Sequence, residues 1–315
     1  MSNRFQRCIA AAAMAAFAIA PAAAQSPAPA ASEAPRLVLL GTKGGPSFRA
    51  HSAVPTSHVL IVRGVPYVVD TGYGVTRHLL QAGVQLNALR YVFITHHHSD
   101  HNLEYGNLLY TAWANGLKSR VDAYGPPGLV DMTRDVMAAN RLDIETRIAD
   151  EGRGDLRKLV FAHEIGEGVI FQDDNVKVTA LRNHHPPIVD SYAFKFETQG
   201  RTIVFSGDTS YFPPLAEFAK GADVLIHEVM YGPGIEALAR RIANGETLLK
   251  HLRDSHTLAE DVGRIAKAAG VKTLVLSHFV PGDDPSITRE TWERAVRTSF
   301  DGRIVVGADL MEIPL

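Results

Sequence analysis

The alternation of apolar and polar positions predicts short strands separated by helices. In the first half of the chain, the β-branched runs "HVLIVRG", "PYVVDTG" and "YVFITHH" are bounded by Gly, Pro or Asp, as expected of strands. The segment "VTRHLLQAGV" between them has helical spacing and a Gly stop. A second set, "VKVTAL", "SYAFKFET", "RTIVFSGDT", "ADVLIHEV" and "KTLVLSHF", accompanies the amphipathic segment "TLAEDVGRIAKAAGV". This alternation predicts an α/β fold with sheets covered by helices.

Several of these strands end in a histidine or a carboxylate. "VVD" ends at Asp70, "FIT" runs into His96, "FSG" into Asp208, "LIH" into Glu228 and "VLS" into His278. Buried strands hold the residues at their ends rigidly at the rim of a sheet, so we expect these groups to lie together. The pattern predicts a functional site at one sheet edge.

The segment "ITHHHSDHN" concentrates metal-binding side chains within a few positions. As the chain leaves the strand, His96 and His98 face the same way while His97 points away. Asp100 and His101 begin the following turn or helix and face a second point in space. One segment therefore supplies ligands to two metal ions. The alternative is a solvated polar loop, which the preceding strand and the distant partner residues disfavour.

Three later motifs complete a dinuclear site: a histidine of "RNHHPP", Asp208 of "FSGDT" and His278 of "VLSHF". Of the two histidines in the first motif we favour His185 over His184, because the two prolines that follow His185 fix the chain. Imidazole and carboxylate donors predict two Zn²⁺ ions, with Fe or Mn as alternatives. Such ions lower the pKa of a bound water to ~7, and in pairs ~4 Å apart they clamp the attacking and leaving oxygens.

The N-terminus has the layout of a secretory signal peptide, with Arg4 and Arg7 ahead of an apolar run that ends in small residues. We predict a signal peptide over 1–24, a flexible linker over 25–36 and a hydrolase domain over 37–315. The apolar run is shorter than the ~20 residues of a spanning helix, so we expect no stable membrane insertion after cleavage. The predicted location is periplasmic or secreted. The only cysteine, Cys8, lies in the signal peptide, so the metal site has no thiolate.

Charge and location together narrow the expected partners. The formal net charge is -2, and no broad basic surface or basic Gly-rich arm is evident. We therefore do not expect nucleic acid as a partner. The hydrolytic chemistry of such a metal site then predicts a small-molecule ester as the substrate. A homo-oligomer is compatible with the sequence.

The motifs resemble those of the metallo-β-lactamase fold. "THHHSDH" resembles its HxHxDH signature, and "VVDTG", "HPP", "FSGDT", "LIHE", "SHT" and "LSHF" occur in the order of that family. The resemblance is strongest to the ribonuclease Z and arylsulfatase-like branch, because of Glu228 in "LIHE" and His256 in "SHT". It implies an αββα sandwich with the site at one edge.

The resemblance also implies roles for individual residues. The first metal would be held by His96, His98 and His185, and the second by Asp100, His101 and His278, with Asp208 bridging. Asp70 would support the first-motif histidines through hydrogen bonds.

The implied catalytic residues are Asp100, His256 and Glu228. Asp100 would orient the attacking oxygen or accept its proton, His256 would assist the leaving group, and Glu228 would orient His256. The chain departs from the family in having "SHT" where "HST" is usual. His256 also stands where a helix would begin with Thr257 as its N-cap and Glu260 completing a capping box, and Glu228 has the alternative of a plain ion-pair partner.

The sequence thus predicts an exported dinuclear zinc hydrolase in which metal-bound hydroxide attacks a phosphodiester, a sulfate ester or a related ester. The alternatives are a β-lactam or lactone hydrolase on the same fold and a non-catalytic metal-binding protein. The missing cysteine, the bridging Asp208 and the Glu228 and His256 pair argue against the first alternative. Whether the insertion at 232–250, which contains Arg240 and Arg241, covers the pocket as a lid is open at this stage.

Overall fold

Two seven-stranded sheets account for the strands within the described part of the chain, residues 34–47 and 49–315 of the computed structural model. The predicted signal peptide and residues 25–33 of the predicted linker lie outside these residues. Among the described residues, no helix is long and apolar enough to cross a membrane.

The first sheet is built mainly from the N-terminal half of the chain. Its strands are β1 (Arg36–Gly41), β2 (Ser57–Val62), β3 (Val65–Val69), β4 (Tyr91–Phe93), β5 (Val121–Gly125), β6 (Val160–Glu164) and, from the C-terminus, a strand at Met311–Ile313. The order across the sheet begins with the C-terminal strand and then follows β1 to β6. From β1 to β3 neighbours are antiparallel, whereas from β3 to β6 they are parallel.

The second sheet repeats this arrangement in the C-terminal half. Its strands are β7 (Gly168–Gln172), β8 (Lys177–Arg182), β9 (Tyr192–Thr198), β10 (Arg201–Phe205), β11 (Val224–Met230), β12 (Thr273–Val280) and β13 (Arg303–Val306), which makes the C-terminal strand of the first sheet β14. Strands β7 to β10 pair antiparallel, and β10 to β13 pair parallel.

Helices connect the parallel strands of both sheets. They are α1 (Val75–Gln81), α2 (Ser99–Asn102), α3 (Tyr105–Ala114), α4 (Leu129–Ala139), α5 (Arg141–Glu151), α6 (Pro214–Phe218), α7 (Gly232–Ala239), α8 (Gly245–Ser255), α9 (Ala259–Ala269) and α10 (Arg289–Arg297), with short 3₁₀ turns at Leu86–Ala88 and Leu156–Lys158.

Three apolar layers hold these elements together. The middle layer joins the inner faces of the two sheets, with Phe93 of β4 packed against Phe194 and Phe196 of β9. One outer layer lies between the first sheet and α1, α3 and α4, and the other between the second sheet and α6, α9 and α10. Helix, sheet, sheet and helix therefore stack in that order, which confirms the predicted αββα sandwich.

The predicted capping box at the start of α9 is wrong. The helix begins at Ala259 with Leu258 as its N-cap residue, and no side chain caps it. The Thr257 hydroxyl instead donates a hydrogen bond to the carbonyl of Thr209, at 2.6 Å. Thr257 therefore ties the segment after α8 to the loop that follows β10, and this leaves His256 outside the helix.

Phe93 tests the layer between the sheets, because its ring is fully buried, meets Phe196 edge-on at 5.2 Å between ring centroids and stacks on Tyr124 at 5.3 Å. We expect Phe93→Ala to lower the free energy of unfolding by about 3 to 5 kcal/mol, measured by denaturant titration. The matched control is Phe161→Ala, since Phe161 is 40% exposed on β6 with Arg120 over its ring. That change should cost about 1 kcal/mol. Equal losses would contradict the assigned core.

Candidate metal centre

The parallel strands of both sheets deliver their carboxyl ends to one edge of the sandwich. Asp70 follows β3 and His96 follows β4 of the first sheet, whereas Asp208 follows β10 of the second. Glu228 and His278 lie within β11 and β12. The sheets therefore place these histidines and carboxylates at a common rim, as the sequence pattern at the strand ends predicts.

His278 reaches this rim through a β-bulge. Glu228 of β11 pairs with Ser277 of β12, but the next residue, Val229, pairs with Phe279, so His278 is an extra residue. Its backbone has φ of 47°, in the left-handed region that non-glycine residues seldom adopt. A bulge turns one side chain out of the regular alternation. The strained backbone thus aims His278 at the centre.

The first cluster consists of three imidazoles and one carboxylate whose donor atoms lie within 4.8 Å of one another, from His96, His98, His185 and Asp208. His98 Nδ1 lies 3.0 Å from both His96 Nε2 and His185 Nε2. Asp208 Oδ2 is 3.8 Å from His96 Nε2 and 3.9 Å from His185 Nε2. These donors converge on one point.

The second cluster shares Asp208 with the first and adds Asp100, His101 and His278. His278 Nε2 lies 3.1 Å from Asp208 Oδ2 and 3.3 Å from Asp100 Oδ2. His101 Nε2 lies 3.3 Å from Asp208 Oδ1. Asp100 and His101 come from α2, which begins directly after His98. The structure thus brings together all seven predicted ligands, in the two predicted groups.

The donor atoms of both clusters fit metal ions. Ligand atoms at ~2.0–2.1 Å from a tetrahedral zinc ion lie about 3.3 Å apart, close to the separations in the first cluster. In the second cluster, the buried His101 Nε2 has no well-aligned hydrogen-bond partner among the described residues. A cation between His101, Asp100 and Asp208 would satisfy this nitrogen.

Neighbouring groups fix which nitrogen each imidazole turns to the centre. Asp70 accepts from His101 Nδ1 at 2.8 Å, so Nε2 is left for a metal. Thr95 donates its hydroxyl to Asp70 and lies 3.1 Å from His96 Nδ1. Asp70 therefore supports the first-motif histidines as predicted, directly for His101 and through Thr95 for His96.

Charges in the second cluster are balanced by its imidazoles. Burial alone raises the pKa of Asp208, but His101 and His278 outweigh burial and hold this pKa well below its usual range. Burial likewise opposes protonation of His278, yet the Asp208 and Asp100 carboxylates raise its pKa to about 10. In the first cluster, burial lowers the pKa of His185 to about 4. The carboxylates of the second cluster are therefore stabilised by positive charge, which a metal cation supplies. The first cluster has neutral imidazoles as donors.

His256 and Glu228 form a hydrogen-bonded pair beside the two clusters. His256 Nδ1 lies 3.1 and 3.0 Å from the two carboxylate oxygens of Glu228. Burial lowers the pKa of His256, but Glu228 and Asp208 outweigh burial and raise it. Glu228 also accepts the backbone N–H of Thr209, next to Asp208, at 2.6 Å. Glu228 therefore orients both the imidazole and the Asp208 loop.

A cavity of about 370 Å³ opens above the clusters and gives a substrate access to them. Its floor consists of His98, Asp100, Asp208, His256 and His278, and we call it the active-site cavity. The insertion at 232–250 borders this cavity through Leu238 and Leu248. Its two arginines do not: Arg241 pairs with Asp284 at 3.1 Å, and Arg240 borders a separate outer pocket.

The two histidines of "RNHHPP" differ in position. His185 is buried, and its Nδ1 donates to the carbonyl of Ser255 at 2.9 Å, which leaves Nε2 for the first cluster. His184 is exposed and bonds Ser210 through Nδ1 at 2.7 Å. His97, as predicted, turns away, with Nε2 3.3 Å from the carbonyl of Pro126.

The sequence interpretation missed three residues at the site. Ser255, the residue that departs from the usual "HST" order, is fully buried, and its hydroxyl donates to the carbonyl of Pro186. His251 borders the active-site cavity, 3.3 Å from Ser255 Oγ through Nδ1. Their i, i+4 spacing on one helix face, directly before His256, was the available signal. Arg49, in the loop before β2, also borders the cavity but stands alone in the sequence.

Sequence comparisons place this centre among known proteins. Residues 67–279 match the family described as "Beta-lactamase superfamily domain". A ribonuclease Z of Mycolicibacterium gilvum is 31% identical over 280 residues, which cover 88% of this chain and 95% of the relative. A ribonuclease Z of Mycobacterium bovis is 31% identical over 281 residues, 88% of this chain and 97% of the relative.

Solved structures share the fold. The metallo-β-lactamase fold protein YhfI from Bacillus subtilis aligns with a TM-score of 0.65 at 20% identity, over 89% of this chain and 98% of its own. The short form of human tRNase Z aligns with a TM-score of 0.64 at 21% identity, over 89% of this chain and 98% of its own.

These relatives correct one prediction from the sequence. We did not expect nucleic acid as a partner, because of the predicted export, the slightly acidic net charge and the absence of a basic arm. The relatives aligned along 88% of the chain bear the name of a ribonuclease, an enzyme that acts on RNA. The prediction is therefore wrong. Net charge reports the whole surface and does not describe the local charge at a rim that already contains metal-binding groups.

The adjacent pair His184 and His185 tests the metal assignment. We expect His185→Ala to lower the bound metal of the purified protein by about one equivalent, because it removes a donor of the first cluster, as measured by inductively coupled plasma mass spectrometry. His184→Ala is the matched control and should retain the metal content of the parent, since this side chain is exposed. Equal metal content in both variants would contradict the first cluster.

Proposed function

This chain belongs to the β-lactamase superfamily, in which its relatives include enzymes named ribonuclease Z, and we propose that it hydrolyses phosphodiester bonds, those of RNA included. The superfamily and the αββα sandwich identify a hydrolase. We propose phosphodiesters as its substrates because the site contains one group that can assist the attacking water and another that can protonate the leaving oxygen.

The observation that carries the proposal is the His256 and Glu228 pair next to Asp208. His256 Nδ1 is 3.0 Å from Glu228 Oε2 and 4.0 Å from Asp208 Oδ2, and the ring borders the active-site cavity. Because Glu228 engages Nδ1, the remaining nitrogen, Nε2, is the one that meets a substrate oxygen. Such an imidazole donates a proton to an alkoxide as it leaves phosphorus.

Two zinc ions, with iron or manganese as alternatives, would be held by the two clusters, since imidazole and carboxylate donors suit these metals. When bound, such ions lower the pKa of water and polarise a phosphoryl oxygen. The chain itself contributes the fixed donor geometry, through Asp70, Thr95 and the carbonyl of Ser255.

Asp100 supports the attacking side of the reaction. Its carboxylate borders the active-site cavity and accepts the backbone N–H of Gly45 at 2.7 Å. Lys43 braces this loop by donating to the carbonyls of Gly44 and Gly45, at 3.1 and 3.0 Å. Asp100 is therefore held where it can orient an attacking water and accept its proton.

The variant His256→Ala tests whether His256 donates a proton to the leaving group. On an RNA oligonucleotide, whose leaving group is an alkoxide, we expect kcat to fall by about 10² to 10⁴-fold, because the leaving oxygen loses its proton donor. On bis(p-nitrophenyl) phosphate, whose nitrophenolate leaves without a proton, the loss should be much smaller. Both rates are measured on metal-loaded protein, with His184→Ala as the control that retains activity.

The parent protein is assayed in parallel on p-nitrophenyl sulfate and nitrocefin. Turnover of either of these without any phosphodiester cleavage would contradict the proposed substrate class. Bound metal with no turnover of any ester would favour the metal-binding protein instead. A loss on His256→Ala that is equal for both phosphodiesters would contradict the role of His256 in departure.

A further inference from the structure

One side of the active-site cavity is apolar, although its floor is formed by imidazoles and carboxylates. Leu248 and Leu252 lie one turn apart on the same face of α8, Leu238 lies near the end of α7, and Val280 ends β12. We call these four residues the leucine wall. Residues at i and i+4 on a helix point the same way, so Leu248 and Leu252 form one continuous surface.

Most of the leucine wall is backed by packed apolar side chains. Behind it, Leu252 and Val280 belong to a small apolar core with Met230 and Ile235, against which Leu248 also packs. This core is separate from the three layers of the sandwich. The packing of this core therefore supports Leu248, Leu252 and Val280 from behind.

The lining of the cavity also includes two cationic side chains, Arg49 and Lys43. Arg49 borders the cavity, is exposed, and has no ion-pair partner among the described residues. Lys43 Nζ donates hydrogen bonds to the carbonyls of its own loop and lies 3.7 Å from the Asp283 carboxylate. Arg49 is therefore the cation available to a free phosphate oxygen, and the leucine wall is left for a different part of the substrate.

His256 indicates which part of the substrate meets the leucine wall. It follows Ser255, the last residue of α8, so the proton donor for the leaving group stands at the end of the helix that carries Leu248 and Leu252. The leaving alcohol must approach His256 to receive its proton. Leu252 lies four residues before His256 and both border the active-site cavity, so an alcohol that reaches His256 comes next to the leucine wall.

We propose that the leucine wall is a subsite for an apolar leaving alcohol, so that the preferred substrates are phosphodiesters with an aromatic or branched aliphatic group on the leaving oxygen. This inference rests on the proposed phosphodiesterase activity. Water adds to phosphorus, the bond from phosphorus to the leaving oxygen breaks, and that oxygen departs as the alcohol with a proton. The remaining product is the phosphate monoester.

Two symmetrical diesters test the leucine wall. Dibenzyl phosphate and bis(glyceryl) phosphate both release a primary alcohol, so they differ mainly in the polarity of the group that leaves, whichever ester bond breaks. We expect kcat/KM of the metal-loaded protein to be about tenfold or more higher for dibenzyl phosphate, in the range that small apolar contacts confer on an enzyme. Product formation is followed by phosphorus NMR.

A pair of adjacent leucines provides the matched variants. Leu248 faces the active-site cavity, whereas Leu249 packs against the same small core but borders the separate outer pocket. Leu248→Asn should remove most of the tenfold preference, because it lowers kcat/KM for dibenzyl phosphate far more than kcat/KM for bis(glyceryl) phosphate. Leu249→Asn should preserve the preference. Leu248→Met, which keeps an apolar side chain of similar volume, should retain the preference. Leu248→Ala, which removes apolar surface without adding a polar group, should lower the preference and serves if the asparagine variant does not fold.

The outcomes separate the subsite from the activity. A parent protein that prefers bis(glyceryl) phosphate, or a Leu248→Asn variant that loses activity equally on both diesters, would overturn the leucine wall as a subsite. Hydrolysis of bis(p-nitrophenyl) phosphate would still stand in that case. If neither diester nor bis(p-nitrophenyl) phosphate is cleaved, the phosphodiesterase proposal itself fails.

Discussion

The buried carboxylate of Asp208 is the group on which the rest of the site depends. It is 2% exposed and lies within 3.1 to 3.9 Å of His278, His101, His96 and His185, so it belongs to both clusters. A carboxylate removed from water costs several kcal/mol unless positive charge and hydrogen-bond donors surround it. Both sheets supply imidazoles to it, His96 and His101 from the first and His185 and His278 from the second. The requirement for surrounding charge accounts for the convergence of strand ends at one rim.

Much of this arrangement could be predicted from the sequence, because its signals are local. The alternation in "ITHHHSDHN" divides His96 and His98 from Asp100 and His101, and the structure places them in two clusters. The apolar runs predicted the strands that carry the ligands, and the family resemblance supplied the order of the motifs. Each of these signals needs only a few neighbouring residues to be read.

Other features depend on contacts between distant residues, and the sequence alone did not reveal them. Nothing local distinguishes Thr257 as an N-cap from Thr257 as a donor to Thr209, and the tertiary contact prevailed. His251 and Arg49 become cavity residues only when α8 and the loop before β2 face each other. Net charge likewise gave a misleading guide to partners, because the interactions at the rim depend on the placement of a few groups.

The supply of ligands by both sheets has a consequence for how the protein matures. Asp100 and His278, in the same cluster, are 178 residues apart in the chain, so the second cluster cannot form until the last parallel strands have joined their sheet. Because ligands assembled by folding couple metal affinity to the folded state, a chain that ends before β12 lacks a complete second cluster. The donors of the first cluster all lie at or before Asp208, so the two halves of the centre differ in how much of the chain each needs.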